Sequence, residues 1–296
     1  MQWLRYYELS PGSQKYIYIP TDESRLIGSE IINVLKYRWK KPEYFYHFRQ
    51  GGHLSAIKVH FYDEEPCQFS VFDLSGYYRQ ITRSKLVRVL KKYVGYEQAL
   101  DWAQKSTVLQ NGDLGRSIPL GFVQSGFLAS LVLDNSCLGK TLREINKTPN
   151  IRISVFVDDI VISSQDHELL SFYSQKIKEA SKKSNLTLQH RKTFCNIDSI
   201  NIFNLSYKSG SEIDFCADRV NNFKEILVKN CDRKFVVFGV IMYMLKVNAK
   251  RTLSILDSIV QEKGISKTGI LGKFYYEHKI KENQNIIETL RKVCFQ

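Results

Sequence analysis

The sequence lacks any segment that is both apolar and long enough to cross a membrane. Its longest apolar stretch, residues 118–133, is interrupted by Gly121, Gln124, Ser125 and Gly126. A membrane-spanning helix needs about 20 consecutive, predominantly apolar residues. The first residues also contain no apolar core of the length found in signal peptides. We therefore expect a cytoplasmic protein with no membrane partner.

Cysteine is scarce as well, with six residues spread along the 296 of the chain. No two of them form a Cys-x-x-Cys pair, which argues against a structural zinc site. They stand far apart and mostly beside apolar residues, as is typical of reduced, packed thiols in a cytosolic protein. The sequence also lacks repeats and Pro/Gly/Ser-rich linkers that would divide it into separate domains.

Acidic residues are fewer than basic ones, 30 against 43, and the formal net charge is +13. Such an excess predicts a polyanionic partner, with nucleic acid first and an anionic membrane surface second. The 17 Tyr and 17 Phe residues favour nucleic acid, because aromatic rings stack on bases. A basic protein that its charge merely keeps soluble is the alternative.

Hydrophobic periodicity predicts a mixture of helices and strands. The paired glycines Gly51 and Gly52 predict a β-hairpin between residues 44–49 and 54–61, because glycine permits the positive φ of a tight turn. Asp166 is a suitable N-cap for a helix. The remaining predicted elements are helices at 22–40, 84–93, 124–133 and 166–184, strands at 67–73, 186–196 and 200–208, an Asp-Asp hairpin at 151–163, and a mostly helical, basic segment from about 217. This order indicates an α+β fold with a helical C-terminal lobe.

Two aspartates, Asp158 and Asp159, stand side by side in the otherwise apolar segment 151–164. A solvated hairpin turn explains this pair equally well, because Asp tolerates the backbone of a tight turn. A second predicted strand ends on Asp73. If both segments belong to one sheet, three carboxylates converge and repel one another unless a counterion is present. Magnesium, a hard cation that takes oxygen ligands and substrate phosphates, is such a counterion.

Three segments resemble motifs A, B and C of reverse transcriptases, and their order and spacing are more specific than any one of them. They are Phe-Asp-Leu-Ser-Gly-Tyr-Tyr at 72–78, Ile-Pro-Leu-Gly-Phe-Val-Gln-Ser-Gly at 118–126 and Phe-Val-Asp-Asp at 156–159. The resemblance covers roughly residues 45–210. Within the family, the sequence around motifs B and C resembles the bacterial abortive-infection and "unknown group" enzymes of phage defence more than retron or retroviral enzymes.

The resemblance implies a right-hand polymerase with fingers, a palm built on an antiparallel sheet, and a helical thumb. The implied domains are an N-terminal helix and fingers hairpin at 1–66, a palm at 67–215 that carries a fingers insertion at about 80–115, and a basic thumb at 216–296. It also implies two Mg²⁺ ions, which Mn²⁺ can replace, to activate a 3′-hydroxyl and stabilise the leaving pyrophosphate. The implied metal ligands are Asp73, the backbone carbonyl of Leu74, Asp158 and Asp159.

Two further residues match catalytic positions of the family. Tyr78, the fifth residue after Asp73, resembles the steric gate that rejects a 2′-hydroxyl by a built-in clash, and a core aromatic is the alternative. Lys192 in His-Arg-Lys-Thr matches the motif D lysine, a candidate acid for the leaving pyrophosphate, and a surface lysine is the alternative.

The resemblance also implies binding residues. The nucleotide pocket would be lined by residues of motifs A and B: Leu74, Tyr78, Pro119, Gly121, Gln124 and Ser125. Many relatives also carry an arginine after the Gly-Gly turn that clamps the triphosphate, and Arg49 and Lys58 are imperfect stand-ins for it. Residues 202–208 resemble the primer-grip hairpin. Lys246, Lys250 and Arg251 fall one helical turn apart and would contact the phosphates of a template–product duplex, although a solvated helical face is the usual role of such charges.

The function implied is RNA-directed DNA polymerisation, with a noncoding RNA copied into cDNA for antiphage defence. The partners would be that RNA, dNTPs, the DNA product, and an effector protein or a second copy of the chain. Template-independent synthesis is an alternative, with DNA growing on a protein side chain such as Tyr275 or Tyr276. A catalytically silent scaffold that only binds RNA is a third interpretation.

Overall fold

The computed structural model describes residues 3–9, 16–61, 67–110, 115–202, 205–263 and 269–280. The chain divides into two compact units, residues 1–197 and 198–296. Within the described ranges, no helix has both the length and the apolar character that a membrane crossing requires.

The described strands are short, as is usual for a mixed fold. They are β1 (Trp3–Glu8), β2 (Tyr16–Pro20), β3 (Gln68–Asp73), β4 (Val108–Leu109), β5 (Arg116–Ser117), β6 (Ile151–Phe156), β7 (Asp159–Ser164), β8 (Phe194–Ile197), β9 (Ser199–Ile202), β10 (Leu205–Lys208) and β11 (Asp214–Phe215).

The helices lie between these strands and after the last of them. They are α1 (Asp22–Arg38), α2 (Gly52–Lys58), α3 (Tyr77–Gln80), α4 (Arg83–Val94), α5 (Tyr96–Lys105), α6 (Ser125–Asp134), α7 (Cys137–Lys147), α8 (His167–Lys183), α9 (Ala217–Lys229), α10 (Lys234–Val247), α11 (Ala249–Lys263) and α12 (Ile270–Ile280).

The first unit is organised around a four-stranded sheet in the order β6-β7-β3-β8, in which all neighbours are antiparallel. The central strands β3 and β7 are buried along almost their whole length, and the buried positions include Ser70, Ser163 and Ser164 as well as apolar residues. Helices α7 and α8 pack against the sheet. Asp166 caps α8 as predicted, because its side chain accepts the backbone N–H groups of Glu168 and Leu169.

A buried histidine joins the paired strands β6 and β7. His60 is fully buried, and its ring nitrogens lie 2.9 Å from Ser154 Oγ on β6 and 2.6 Å from Ser163 Oγ on β7. Burial lowers the pKa of His60 to about 3. The ring is therefore neutral at physiological pH, and its two hydrogen bonds satisfy polar groups that burial would otherwise leave unpaired.

The predicted hairpin around Gly51-Gly52 is wrong. Tyr46–Phe48 forms a 3-10 turn, and helix α2 begins directly after Gly51, whose φ is +87°. A glycine with positive φ serves a helix boundary as well as a hairpin turn, so the glycine pair did not distinguish the two. Strands β1 and β2, which precede this segment, pair antiparallel.

The predicted strand at 186–196 is also largely wrong, because His190–Lys192 is a 3-10 turn and β8 begins only at Phe194. The predicted strand at 200–208 is divided into the antiparallel pair β9 and β10, with residues 203 and 204 outside the described part of the chain. The helices predicted at 22–40, 84–93, 124–133 and 166–184 are confirmed to within a few residues.

The second unit contains the small sheet β11-β10-β9 and helices α9 to α12. The mostly helical segment predicted from about 217 is thereby confirmed. Asn248 separates α10 from α11, and its Oδ1 accepts the backbone N–H of Arg251 at 2.9 Å. Lys246 therefore stands on a different helix from Lys250 and Arg251, and the prediction that the three fall one helical turn apart is wrong.

Candidate active site

The three aspartates of motifs A and C meet at one end of the central sheet. In the pairing of β3 with β7, Asp73 stands directly opposite Asp159. Asp158 lies in the turn that joins β6 to β7, and its carbonyl accepts the backbone N–H of Leu74 at 3.1 Å. Strand register therefore brings together residues that are far apart in the sequence. Asp73 is only 6% exposed, while Asp158 and Asp159 are partly exposed.

Lys192 lies beside this cluster. Its Nζ is 3.0 Å from Asp73 Oδ2, and about half of its side chain remains exposed. The hydrogen bond to Asp73 is the main cause that raises the pKa of Lys192, and the charges of Asp159 and Asp158 act in the same direction. The lysine is therefore positively charged at neutral pH and partly offsets the negative charge of the cluster.

Asp159 experiences the repulsion that the sequence predicts. Its pKa is raised to about 7, first by burial and then by the negative charges of Asp158 and Asp73, while Lys192 lowers it. A carboxylate in such a position gains from a neighbouring cation. The oxygen donors of Asp73, Asp158 and Asp159, with the Leu74 backbone beside them, are the chemistry that Mg²⁺ takes.

As placed, no three His, Cys, Asp or Glu side chains among the described residues enclose a position for a metal ion by themselves. Mg²⁺ is commonly held by one or two carboxylates together with substrate phosphates rather than by protein side chains alone.

Tyr78 projects from α3 close to the aspartates. The charge of Asp158 adds to burial in raising the pKa of Tyr78. Its ring stacks on Tyr77 with centroids 5.7 Å apart, and the buried Tyr77 hydroxyl donates to the carbonyl of Ala129 at 2.8 Å. A methyl group placed on Gly126 would lie 3.3 Å from the Tyr78 hydroxyl, so the absence of a side chain there leaves room for the ring.

Motif B forms the turn before α6, and its small residues hold that turn in place. A Cβ on Gly121, whose φ is +110°, would collide with the carbonyl oxygen of Tyr18 on β2. The Ser125 hydroxyl donates to the carbonyl of Pro119 at 2.6 Å. Gln124 is 1% exposed, with its Nε2 3.2 Å from Ser106 Oγ. The side chains of Gln124 and Ser125 are thus buried, and their nucleotide-binding roles stay predictions.

The two stand-ins for the triphosphate arginine lie on the surface. The Arg49 guanidinium donates to the carbonyl of Glu43 at 2.9 Å and lies over the Tyr46 ring, 5.1 Å from its centroid. Lys58 is exposed at the last position of α2. The structure gives neither residue a contact with the aspartates, and their roles stay predictions.

The three basic residues predicted to contact the duplex, Lys246, Lys250 and Arg251, are exposed, as a phosphate contact requires. Lys246 and Lys250 lie on the surface of α10 and α11. Arg251 Nε is 3.6 Å from Asp214 Oδ1, so part of its charge is already compensated.

The two tyrosines named as attachment points for protein-primed synthesis are not equally accessible. Tyr275 is 7% exposed, and its hydroxyl donates to the carboxylate of Asp257. Tyr276 is partly exposed. A buried, hydrogen-bonded hydroxyl is a poor acceptor for nucleotides, which counts against Tyr275.

Sequence reasoning missed one residue that contacts the turn of motif C. His47 Nδ1 accepts the backbone N–H of Val157 at 3.1 Å. The segment 44–49 around His47 is predicted as a β-strand. A single histidine among aromatic residues carries no local signal of a contact 110 residues away. Burial lowers the pKa of His47 to about 4, so the ring is neutral at physiological pH.

The antiparallel sheet and the carboxylates at one end of it agree with the right-hand polymerase that the motifs predict. Residues 9–209 match the family described as reverse transcriptase (RNA-dependent DNA polymerase). The match covers more than half of the 296 residues, and the chain belongs to this family.

Several solved structures are similar to the chain. Telomerase from Candida albicans, in complex with a TWJ fragment of telomeric RNA, has a TM-score of 0.51 at 10% identity, over 93% of this chain and 51% of that chain. Apo telomerase from Candida tropicalis has a TM-score of 0.42 at 12% identity, over 92% of this chain and 49% of that chain. The foamy viral protease-reverse transcriptase in complex with double-stranded DNA has a TM-score of 0.42 at 13% identity, over 80% of this chain and 37% of that chain.

The chain thus spans about half the length of these telomerase chains. The likeness to the first of them shows the fold alone, and it confirms the predicted right-hand polymerase architecture. A comparison with curated proteins found no match.

Proposed function

We propose that this protein is an RNA-directed DNA polymerase that adds deoxynucleotides to a 3′-hydroxyl by magnesium-dependent nucleotidyl transfer. The observation that carries the proposal is the strand register that sets Asp73 opposite Asp159, beside the turn that holds Asp158. Membership of the reverse transcriptase family supports it. Two Mg²⁺ ions bound to these carboxylates would activate the 3′-hydroxyl and offset the charge of the leaving pyrophosphate.

The residues around the aspartates have complementary roles in this proposal. Lys192 would give a proton to the leaving pyrophosphate. Its charge at neutral pH and its distance of 3.0 Å from Asp73 support this role. Tyr78 would reject ribonucleotides by contact with the 2′-hydroxyl, because its ring is confined between Tyr77 and Gly126. Leu74 would offer its backbone carbonyl as a further metal ligand.

We also propose that the template is a dedicated noncoding RNA and that the cDNA serves antiphage defence. This part of the proposal is supported by the resemblance of motifs B and C to abortive-infection enzymes. A plaque assay in a bacterial host tests it: the wild-type gene should protect against phage, whereas the same gene carrying Asp158→Asn should not. Equal protection by both would remove DNA synthesis from the defence role.

The first experiment is primer extension on a defined RNA template with Mg²⁺ and dNTPs. Asp158→Asn should abolish synthesis while RNA affinity stays close to wild type, because the change removes one charge and keeps the shape of the side chain. Asp166→Asn is the matched control, since Asn caps a helix about as well as Asp and the residue lies at the start of α8. Equal loss of RNA binding and synthesis in Asp158→Asn would contradict the proposal.

The same assay separates the alternatives. Extension that persists without RNA and leaves DNA attached to the protein would indicate template-independent, protein-primed synthesis. RNA binding with no Mg²⁺-dependent incorporation in the wild type would indicate a catalytically silent scaffold.

A further inference from the structure

The turn of motif C contains a backbone conformation that its sequence does not favour. Val157, which precedes the two aspartates, has a φ of +60°. This left-handed region is uncommon for residues other than glycine, and for a β-branched residue it is an outlier. Such strain persists only where the surrounding structure holds it.

The His47 side chain forms a hydrogen bond with this residue. The backbone N–H of Val157 can only donate, so His47 Nδ1 must accept it, and the ring proton is on Nε2. Nε2 lies 2.8 Å from Ser130 Oγ and donates to it. The Ser130 hydroxyl in turn donates to the carbonyl of Gly126 at 2.9 Å. The three hydrogen bonds have one consistent direction, from the turn through His47 to helix α6.

The His47 ring has little freedom to leave this position. Aromatic rings surround it, with centroid distances of 4.1 Å to Phe48, 5.5 Å to Phe45 and 5.9 Å to Phe156. Ser130 is buried, so water does not readily replace it as a partner, whereas His47 and Val157 are partly exposed. The imidazole is therefore oriented by a hydrogen bond at each nitrogen and by packing.

We propose that His47 is a positioning residue that holds Val157 in its left-handed conformation and thereby sets the direction in which Asp158 presents its carboxylate. This inference rests on the proposed function, because it assigns His47 to the same metal-dependent site. Without His47, Val157 would relax toward a more favourable φ and the carboxylate next to it would turn. The consequence is weaker divalent-metal binding and slower synthesis, with binding of RNA and primer unchanged.

Three substitutions at position 47 test the inference. His47→Leu removes both hydrogen bonds. His47→Asn retains an acceptor near the place of Nδ1, whereas His47→Gln reaches toward Ser130 and leaves the Val157 N–H without its partner. His53→Leu is the control, because the ring of His53 also lies against Phe156, 6.1 Å between centroids.

The measurements are the maximal rate of primer extension at saturating template and dNTP, the Mg²⁺ concentration for half-maximal rate, RNA affinity and Mn²⁺ binding to the free protein. Groups that orient metal ligands typically contribute roughly 10- to 100-fold to metal affinity or activity. We expect a loss of this size in His47→Leu and His47→Gln, substantial recovery in His47→Asn, and near-wild-type values in His53→Leu. RNA affinity should not change in any of them.

The inference is overturned if His47→Gln equals or exceeds His47→Asn in rate and metal affinity, or if His47→Leu matches the wild type. The Asn and Gln variants decide the matter even if His47→Leu does not fold. If the wild type makes no DNA at all, the proposed function fails. Mn²⁺ titration of the same variants then still tests whether His47 affects metal binding.

Discussion

Asp159 is the residue at which the electrostatics of the site can be measured without substrate. Its pKa of about 7 lies well above the ordinary value of 3.8, so the folded protein retains a proton that the unfolded chain releases between about pH 4 and 7. Stability contributed by this group is therefore present at low pH and is lost as the pH rises through that range.

Asp159→Asn should consequently raise the melting temperature of the metal-free protein at pH 8 and change it little at pH 5. The reason is that the amide resembles the protonated carboxyl group and is not repelled by Asp158 and Asp73. Thermal melts in a chelator across this pH range check the prediction. A variant that melts below the wild type at pH 8 would show that repulsion does not dominate there.

Sugar selection is a second property of single residues. Tyr78→Val should increase incorporation of ribonucleotides relative to deoxyribonucleotides, because it removes the ring that faces the sugar in the proposed site. Competition between matched dNTP and NTP in primer extension measures the ratio. Tyr77→Phe is the control: it removes only the buried hydroxyl that donates to Ala129, so selection should not change while stability falls by about 1 kcal/mol.

At the scale of elements, His60 links β6 and β7 and makes their pairing sensitive to acid. Its pKa of about 3 in the folded state lies below the ordinary 6.5, so the unfolded chain binds a proton that the folded protein does not. Stability from this group is complete above pH 6.5 and is lost as the pH falls toward 3, by about 1.4 kcal/mol per pH unit.

His60→Asn should be destabilised at pH 7, because it disturbs the hydrogen bonds to Ser154 and Ser163, and the gap to the wild type should narrow at pH 5. Denaturant unfolding of both proteins at each pH gives the difference in their free energies of unfolding. Contributions from other groups, such as Asp159 and His47, cancel in that difference. If the difference in stability stays constant or widens in acid, His60 does not have the lowered pKa in the folded protein.

The elements also show where sequence reasoning succeeds. Strands β3, β6 and β7 were predictable because apolar segments border aspartates: β3 ends at Asp73, and β6 and β7 flank the Asp158–Asp159 pair. Helix α8 was predictable from its amphipathic pattern and from Asp166. The segment around Gly51 was not, because the same positive φ serves a hairpin turn and a helix boundary. The contact of His47 with Val157 was not, because it depends on the packing of segments that the chain brings together over 110 residues.

At the scale of the whole molecule, the net charge of +13 predicts that binding of an RNA–DNA duplex weakens steeply with salt. Lys250→Gln should reduce the slope of log K against log salt by roughly 1, because one phosphate contact is lost. Arg251→Gln should reduce it less, since Asp214 already compensates part of that charge. Fluorescence anisotropy across a range of salt concentrations gives the slopes.

The control for this measurement is Lys176→Gln, because Lys176 is bonded to Glu144 on the outside of α7 and α8. It should leave the slope unchanged. If Lys250→Gln gives the same slope as this control, the second unit does not contact the duplex through that residue.

The pairing of β3 with β7 has a consequence for how this polypeptide can change over time. Asp73 faces Asp159 through main-chain bonding of the two strands, not through the length of the loop between them. Exposed loops between the two strands can therefore gain or lose residues while the two acids keep their separation. A deletion of one residue inside either strand, by contrast, would turn one acid to the opposite side of the sheet. Variation among descendants of this gene should accordingly accumulate in such loops and spare the two strands.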